Sequence, residues 1–387
     1  MKALKDDFTS TGAKFFFHEE AMRKLQNGRG QPVTSHVMAT DLCNHACAFC
    51  SVHRREGDVL PLADIIGFLT TLKRYGLKST ILSGGGNPIL WKCPKTHVGF
   101  DVLVKAIKQL DLEIGLITNG MPLRDYNYYC GTTNHVLRRS WRNVSPQTLD
   151  MLTWIRISCS GFDHDEDEVF VPDVDPTKTT LGFSYVFHDI YDEPLDAAHG
   201  RVSTVADLLT LGTERLKHKP TRFADERVPR LTEQIGALVK QHSPAYVRLL
   251  PNCLEPWHIE DRCRTLQAMA NQIDPNVVFV QHKPPAPPKA CYLGYVHPVL
   301  NTDGYVYPCD SCVLNEEAGH RFNEPWRVCH WRDVADLYEK PLRSLVDPQK
   351  LCRGCVFTKS NEILGAVVDG SIAPTEPQGT PQHVNFI

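Results

Sequence analysis

The chain has 387 residues, 42% of them apolar, and a net charge of −3, enough to bury a full-sized core and a smaller second unit. That charge excludes a whole-protein basic field for nucleic acid and leaves only a local patch open. No apolar run is long enough for a signal-peptide core or a membrane span, which predicts a cytoplasmic protein. In a reducing compartment the 14 cysteines are better read as metal or cluster ligands than as a disulfide framework.

After an N-terminal segment over 1–35, the β-rich run "HVMAT" leads to "PLADIIGFLTTLKRYG", where Ile65, Leu69 and Leu72 share a helical face and Gly76 stops it. "STILSG" reads as strand, "GFDVLVKAIKQL" as helix and "EIGLITNG" as strand. "SPQTLDML" is then a helix capped by Ser145 with Pro146 at its first position, and "WIRISCSG" a strand. Strand-like "LGFSYVF" follows, then the helix "RLTEQIGALVKQH" with Leu231, Ile235, Leu238 and Val239 in register. The strand "AYVRLLP" and a helix around Leu266, Met269, Ala270 and Ile273 complete the series. Such βα alternation predicts a parallel sheet, open or curled into a barrel, with ligands at the carboxyl ends of its strands.

Two stretches interrupt the rhythm. "FDHDEDEVFVPDVDP" reads as a solvated acidic loop, and "HDIYDEPLDAAHGRVS" is a polar loop after a strand. "HKPPAPPKAC" reads as a stiff linker that opens a Cys-rich unit over 289–358. "DGSIAPTEPQGTPQH" is too poor in apolar residues to pack, so 359–387 is expected to be a tail.

Cys43, Cys47 and Cys50 sit within eight residues in the loop after the first strand, with no fourth cysteine beside them. Closed zinc sites and most iron-sulfur clusters want four ligands. The spacing C-x3-C-x2-C, with Phe49 before the last Cys, resembles the radical S-adenosylmethionine family. The resemblance implies a partial (βα)6 barrel over 36–282 with three thiolates on a [4Fe-4S] cluster. Its open iron would take the amino and carboxylate groups of S-adenosylmethionine, whose reductive cleavage yields a 5'-deoxyadenosyl radical. An electron donor such as flavodoxin or ferredoxin is implied with it. The run Ser83, Gly84, Gly85, Gly86, Asn87, before Pro88, stands where the family has a Gly-Gly-Glu-Pro-like turn for the methionyl ammonium. Asn87 replaces the acid and offers an acceptor without a charge. By the same resemblance Thr118 and Asn119 in "ITNG" end the third strand at the cofactor. Ser158 in "RIS" lies near the ribose, where a hydroxyl bonded locally to backbone is the rival reading. Leu250 and Pro251 would contact adenine.

In the second unit, Cys291, Gly304, Cys309, Cys352 and Cys355, with the hairpin-like "NTDGYVYPC", resemble the twitch half of a SPASM-type extension. This implies a small α+β unit with an auxiliary [4Fe-4S] cluster on Cys291, Cys309, Cys352 and Cys355. The rival is a zinc site on the two C-x2-C knuckles formed by Cys309, Cys312, Cys352 and Cys355. Cys312 and Cys329 are left over, and Cys93, Cys130, Cys159, Cys253 and Cys263 show no ligand spacing.

Only 42 residues precede Cys43, which speaks against a leader-peptide or cobalamin domain and favours a small polar or nucleoside-like substrate. Arg156, His188, Asp189 and Arg248, near strand ends, are the candidates to touch it, with structural salt bridges the rival for both arginines. "LRRSWR" is the one basic patch for phosphates. Modification of a macromolecule, peptide or DNA, and a non-catalytic zinc or iron-sulfur module are the other functional classes.

Overall fold

The computed structural model describes residues 4–10, 12–43, 47, 49–50, 57–120, 126–130, 133–137, 144–163, 169–190, 224–252, 259–282, 286–310, 324–352, 355–372 and 379–387. Its strands are β1 (Thr34–Val37), β2 (Ser79–Leu82), β3 (Glu113–Thr118), β4 (Tyr126–Cys130), β5 (Thr133–Leu137), β6 (Trp154–Ser158), β7 (Thr180–Phe187), β8 (Tyr246–Pro251), β9 (Val278–Val280), β10 (Val299–Leu300), β11 (Tyr305–Tyr307) and β12 (Cys329–His330). Ten of them form one sheet in the order β12-β11-β10-β1-β2-β3-β6-β7-β8-β9, while β4 and β5 pair as a separate hairpin. From β10 through to β9 every pairing is parallel, and β11 and β12 add on antiparallel.

The helices cover the outer face because their apolar residues recur at helical spacing. Ile65, Phe68, Leu69 and Leu72 of Leu62–Arg74 are buried, and Gly76 follows at φ 112°, a conformation that costs glycine least. Phe100, Leu103, Val104 and Ile107 do the same for Phe100–Lys108, and Leu231, Ile235 and Leu238 for Val228–His242. Leu266, Met269 and Ala270 do so for Ile259–Ile273. Ser145 caps the short helix Pro146–Leu149 by accepting from the Thr148 backbone N–H.

β1 and β2 are buried at every position although five of their eight residues are polar. The hydroxyls satisfy one another: Ser35 Oγ donates to Thr80 Oγ1 at 2.9 Å and Ser79 Oγ to Thr34 Oγ1 at 3.2 Å.

The described strands of the Cys-rich stretch after the Pro-rich run join the main sheet rather than pairing only with one another. β1 would otherwise be an edge strand, and β10 pairs with it, His36 against Val299 and Val37 against Leu300, so the stretch extends the main sheet. The segment 359–387 is not a tail throughout. Helix Thr358–Val368 buries Leu364 and Val367 and packs on helix Glu19–Gln26, while Phe386 and Ile387 are buried. The apolar residues that hold the C-terminus down are the last two, beyond the polar run. Among the described residues no helix is long and apolar enough to cross a membrane.

Candidate active site

Strand residues alternate between faces, and on β6 and β8 the inward set is Trp154, Arg156, Ser158 and Tyr246, Arg248, Leu250. These meet His36 of β1 and Met38 just beyond it across one cavity of about 390 Å³, so the parallel sheet curls around it. Cys43, Cys47, Phe49 and Cys50 line it, as do Ser83 to Asn87, Thr118, Asn119 and Pro251. Each lies at or just beyond the carboxyl end of a strand.

The glycine turn fastens the cysteine loop. Gly86 N donates to Thr40 O at 2.8 Å and Asn87 N to Leu42 O at 2.7 Å, one residue before Cys43. A Cβ on Gly86 would lie 2.0 Å from Leu42 O, and one on Gly85 2.7 Å from Thr40 O. Glycine is required here because two backbones touch.

Asn87 is buried and stands at the centre of a relay. Its Oδ1 accepts from Thr118 Oγ1 at 2.8 Å and from the Ile89 backbone N–H at 3.3 Å, and its Nδ2 donates to Asn119 Oδ1 at 2.7 Å. Asn119 Nδ2 in turn lies 3.7 Å from Cys43 Sγ. The Asn87 carbonyl thus already holds two donors, so an incoming ammonium would have to displace one of them. "ITNG" is tied to the first cysteine by these bonds.

Burial pushes the Cys47 thiol well above its ordinary value, with the neighbouring Cys50, Cys43 and Asp163 adding to the effect and a hydrogen bond from Ser160 opposing it. Three soft donors around one cavity fit an iron-sulfur cluster, whose irons would make thiolates of them.

Behind the loop, the Phe49 ring meets the His188 ring at 4.9 Å. His188 Nε2 lies 3.1 Å from Asp163 Oδ2, Tyr185 donates to Asp163 Oδ1 at 2.7 Å, and Arg227 pairs with the same carboxylate. Burial pushes the Asp163 carboxyl up, but the hydrogen bond and charge of His188 and the charge of Arg227 outweigh it and hold the group below its usual range. The sequence reading placed Asp163 at the head of a solvated acidic loop; it is buried because this network takes up its charge. Of the candidates to touch substrate, His188 packs beside Phe49, and Asp189 accepts from the Ala224 backbone N–H at 2.8 Å and pairs with Arg262 at 2.8 Å. Arg156 and Arg248 do face the cavity.

Cys291, Cys309, Cys352 and Cys355 gather in the C-terminal stretch. Burial pushes the Cys291 thiol well above its ordinary value, and the other three thiols press it further. Burial likewise holds Cys352 up at about 11, opposed by a hydrogen bond from the Trp326 indole, whose buried N–H has no nitrogen or oxygen acceptor. Met38, Tyr307, Trp326 and Val346 pack round the set, and Gly304 takes φ 79° in the β10–β11 turn. Cys329 lies apart, pushed up to about 12 by burial beside Asp333 and Asp336. Cys93 and Cys159 are core residues, and Cys312, Cys253 and the "LRRSWR" arginines lie outside the described residues. Among the described residues no three His, Cys, Asp or Glu side chains converge tightly enough for a single metal ion.

Residues 37–139 match the family model of the Radical SAM superfamily. Within them fall the three cysteines, the glycine turn and "ITNG". Curated relatives named probable GTP 3',8-cyclase are similar over a stretch of about the same length. The protein of Saccharolobus islandicus is 30% identical over 103 residues, 26% of this chain and 31% of the relative. That of Saccharolobus solfataricus is 30% identical over 100 residues, 25% and 30% of the two chains. The chain thus spans about a third of the length of the curated relatives it matches. Among solved structures, anSMEcpe with bound AdoMet aligns at 12% identity with a TM-score of 0.47, over 88% of this chain and 97% of that one. Streptococcus suis SuiB bound to S-adenosylmethionine aligns at 12% and 0.42, over 87% and 81%.

Proposed function

We propose that the chain is a radical S-adenosylmethionine enzyme acting on a small polar or nucleoside-like substrate. One joint observation carries this reading. The segment that matches the family model holds three thiols and a glycine turn that are hydrogen-bonded into one unit at the mouth of one cavity. When bound there, a [4Fe-4S] cluster with S-adenosylmethionine supplies one-electron reduction of the sulfonium and, through it, hydrogen abstraction from the substrate.

The chain's own residues have separate tasks. Cys43, Cys47 and Cys50 would hold three irons, and Phe49, braced by His188, covers them from the protein side. Gly84 to Gly86 leave room for the methionyl group, and Asn87 orients Thr118 and Asn119 beside it. Ser158, Leu250 and Pro251 line the part of the wall that the nucleoside half would meet. Cys291, Cys309, Cys352 and Cys355 would hold an auxiliary [4Fe-4S] cluster, with flavodoxin or ferredoxin as electron donor. The name of the curated relatives, cyclases of GTP, agrees with a nucleoside-like substrate.

The test is anaerobic reconstitution followed by reduction with dithionite and S-adenosylmethionine. The wild-type chain should form 5'-deoxyadenosine, and a variant with Cys43, Cys47 and Cys50 all changed to Ala should form none. Equal product from the two would refute the assignment.

A further inference from the structure

We propose that the floor of the cavity is a receptor for an oxyanion of the substrate, a carboxylate or a phosphate group, held by Arg156 and Arg248. The identity of the ligand as the substrate rests on the function proposed above; the site itself rests on the following geometry.

Arg156 points inward from β6 with its guanidinium 5.7 Å from the centroid of the Trp154 ring. The Tyr246 hydroxyl is its hydrogen-bonding neighbour, and its buried Nε has no partner. No carboxylate among the described residues lies within ion-pair distance of it. Asp310 acts on it only at longer range and stands 3.7 Å from His36 Nδ1. A guanidinium enclosed without a counter-charge is an expensive arrangement that a bound anion relieves.

Sheet register brings the second arginine alongside. Arg156 aligns with Gly182 and Gly182 with Tyr246, while Ser158 aligns with Ser184 and Ser184 with Arg248. The two arginines therefore lie in adjacent layers of the inner wall. Arg248 Nη1 donates to Gln281 Oε1 at 2.9 Å, a neutral acceptor that orients the fork.

The floor is built to admit these groups. A Cβ on Gly182 would lie 2.2 Å from the Tyr246 ring, and one on Gly115 2.1 Å from the Trp154 ring, so each glycine makes room for a ring under the arginines. Phe8 stacks on Tyr246 at 4.5 Å and Phe386 meets Trp154 edge-on at 5.2 Å, closing the cavity from below.

Among the described residues, the other charged or titratable groups at the cavity do not neutralise Arg156. Lys14 gives its ammonium to the carbonyls of Asp7, His383 and Phe386. Burial lowers the pKa of His36 and of His383, favouring their neutral forms. His297 is engaged by the Ile387 carbonyl oxygen. Arginine pairs, unlike lysines, match carboxylate and phosphate oxygens with planar forks.

The experiment titrates the reconstituted full-length protein with inorganic phosphate, pyrophosphate and succinate, reading tryptophan fluorescence and melting temperature with and without S-adenosylmethionine. Saturable binding of the phosphates alone would assign a phosphorylated substrate, and of succinate alone a carboxylate; either supports the receptor. Arg156→Gln and Arg248→Gln should each weaken that binding at least about tenfold, the order of one charge-assisted bond. Arg156→Lys, which keeps the charge and loses the fork, serves if Arg156→Gln does not fold. Absence of saturable binding, equal affinity in the variants, or competition between anion and S-adenosylmethionine would each overturn the proposal, the last by assigning the arginines to the cofactor. 5'-Deoxyadenosine formation by the wild-type chain is measured in parallel, so failure of the receptor and failure of the radical reading give different results.

Discussion

Changing Gly86 to Ala tests whether the glycine turn exists to fasten the cysteine loop. The added Cβ would stand 2.0 Å from Leu42 O and 2.4 Å from Leu42 C, both backbone atoms that cannot swing aside. Bringing the oxygen contact to about 3 Å, the closest a real Cβ comes, needs about 1 Å of separation between two backbones. The bonds Gly86 N to Thr40 O, 2.8 Å, and Asn87 N to Leu42 O, 2.7 Å, cannot survive that shift. Two net hydrogen bonds at about 1 kcal/mol each, plus about 1 to 2 kcal/mol for buried groups left unmatched, give a loss of about 3 to 4 kcal/mol. Cys43, next to Leu42, moves with it. Gly84→Ala is the control. It incurs a left-handed φ of 76° but its nearest neighbours are side-chain atoms of Met38 and His36 rather than backbone, so about 1 to 2 kcal/mol is expected. Urea unfolding of the metal-free proteins gives the stabilities, and iron per chain after reconstitution gives the consequence for the loop. If Gly86→Ala is no less stable than Gly84→Ala, or binds iron as the wild type does, the fastening argument is wrong.

Asn87→Ala removes the acceptor for Thr118 and Ile89 and the donor to Asn119, and should weaken S-adenosylmethionine binding by about 1 to 2 kcal/mol in equilibrium dialysis; unchanged affinity would take Asn87 out of the site. Cys291→Ala should lower the iron of the reconstituted chain from about eight to about four, while Cys329→Ala, remote from the set, should leave it unchanged; the opposite pattern would reassign the ligands. The folded-state pKa of Asp163 lies below its unfolded value, so the unfolded chain binds the proton more readily and the stability from this group is present above about pH 4. It is lost as pH falls through the folded value. Asp163→Asn should therefore narrow the difference in urea midpoint between about pH 3 and about pH 6, and an undiminished difference would count against the network.

Much of the frame was legible because it follows from local rules. The strands β3, β6, β7 and β8 and the covering helices carry their apolar residues at periods that mark them in the sequence, and β1 and β2 follow from their place in the alternation. The cysteine loop and the glycine turn were legible as spacing. What escaped were pairings over long sequence distance. Nothing near Val299 announces that it will lie beside His36, because a two-residue strand has no periodicity of its own. Asp163 looks solvated in a run of acids, and only Tyr185, His188 and Arg227, between 22 and 64 residues away, reveal it as buried. The C-terminal residues were likewise hidden by the polar run before them. Asn385 O accepts from Thr34 Oγ1 at 2.5 Å and lies 2.6 Å from Ser79 Oγ, contacts made 351 and 306 residues back.

β1 is the element through which the two cysteine sets are held together. From its carboxyl end the chain runs directly into Cys43, and His36 reaches both Ser83 O, 2.8 Å away at the glycine turn, and Asp310, next to Cys309. Met38, just beyond the strand, packs in the cluster of side chains around Cys291 while its Cε lies 2.9 Å from where a Cβ on Gly84 would be. A Cys-rich unit joined only by the Pro-rich stretch would be free to drift relative to the cavity. Paired to β1 through β10, it cannot move without breaking the parallel ladder between His36–Val37 and Val299–Leu300. The separation of the two cysteine sets is therefore set by the sheet, as precise a ruler as a protein has. With the floor closed by Phe8 and Phe386, a ligand that reaches Arg156 must enter past Cys43, Cys47 and Cys50 from the carboxyl ends of the strands.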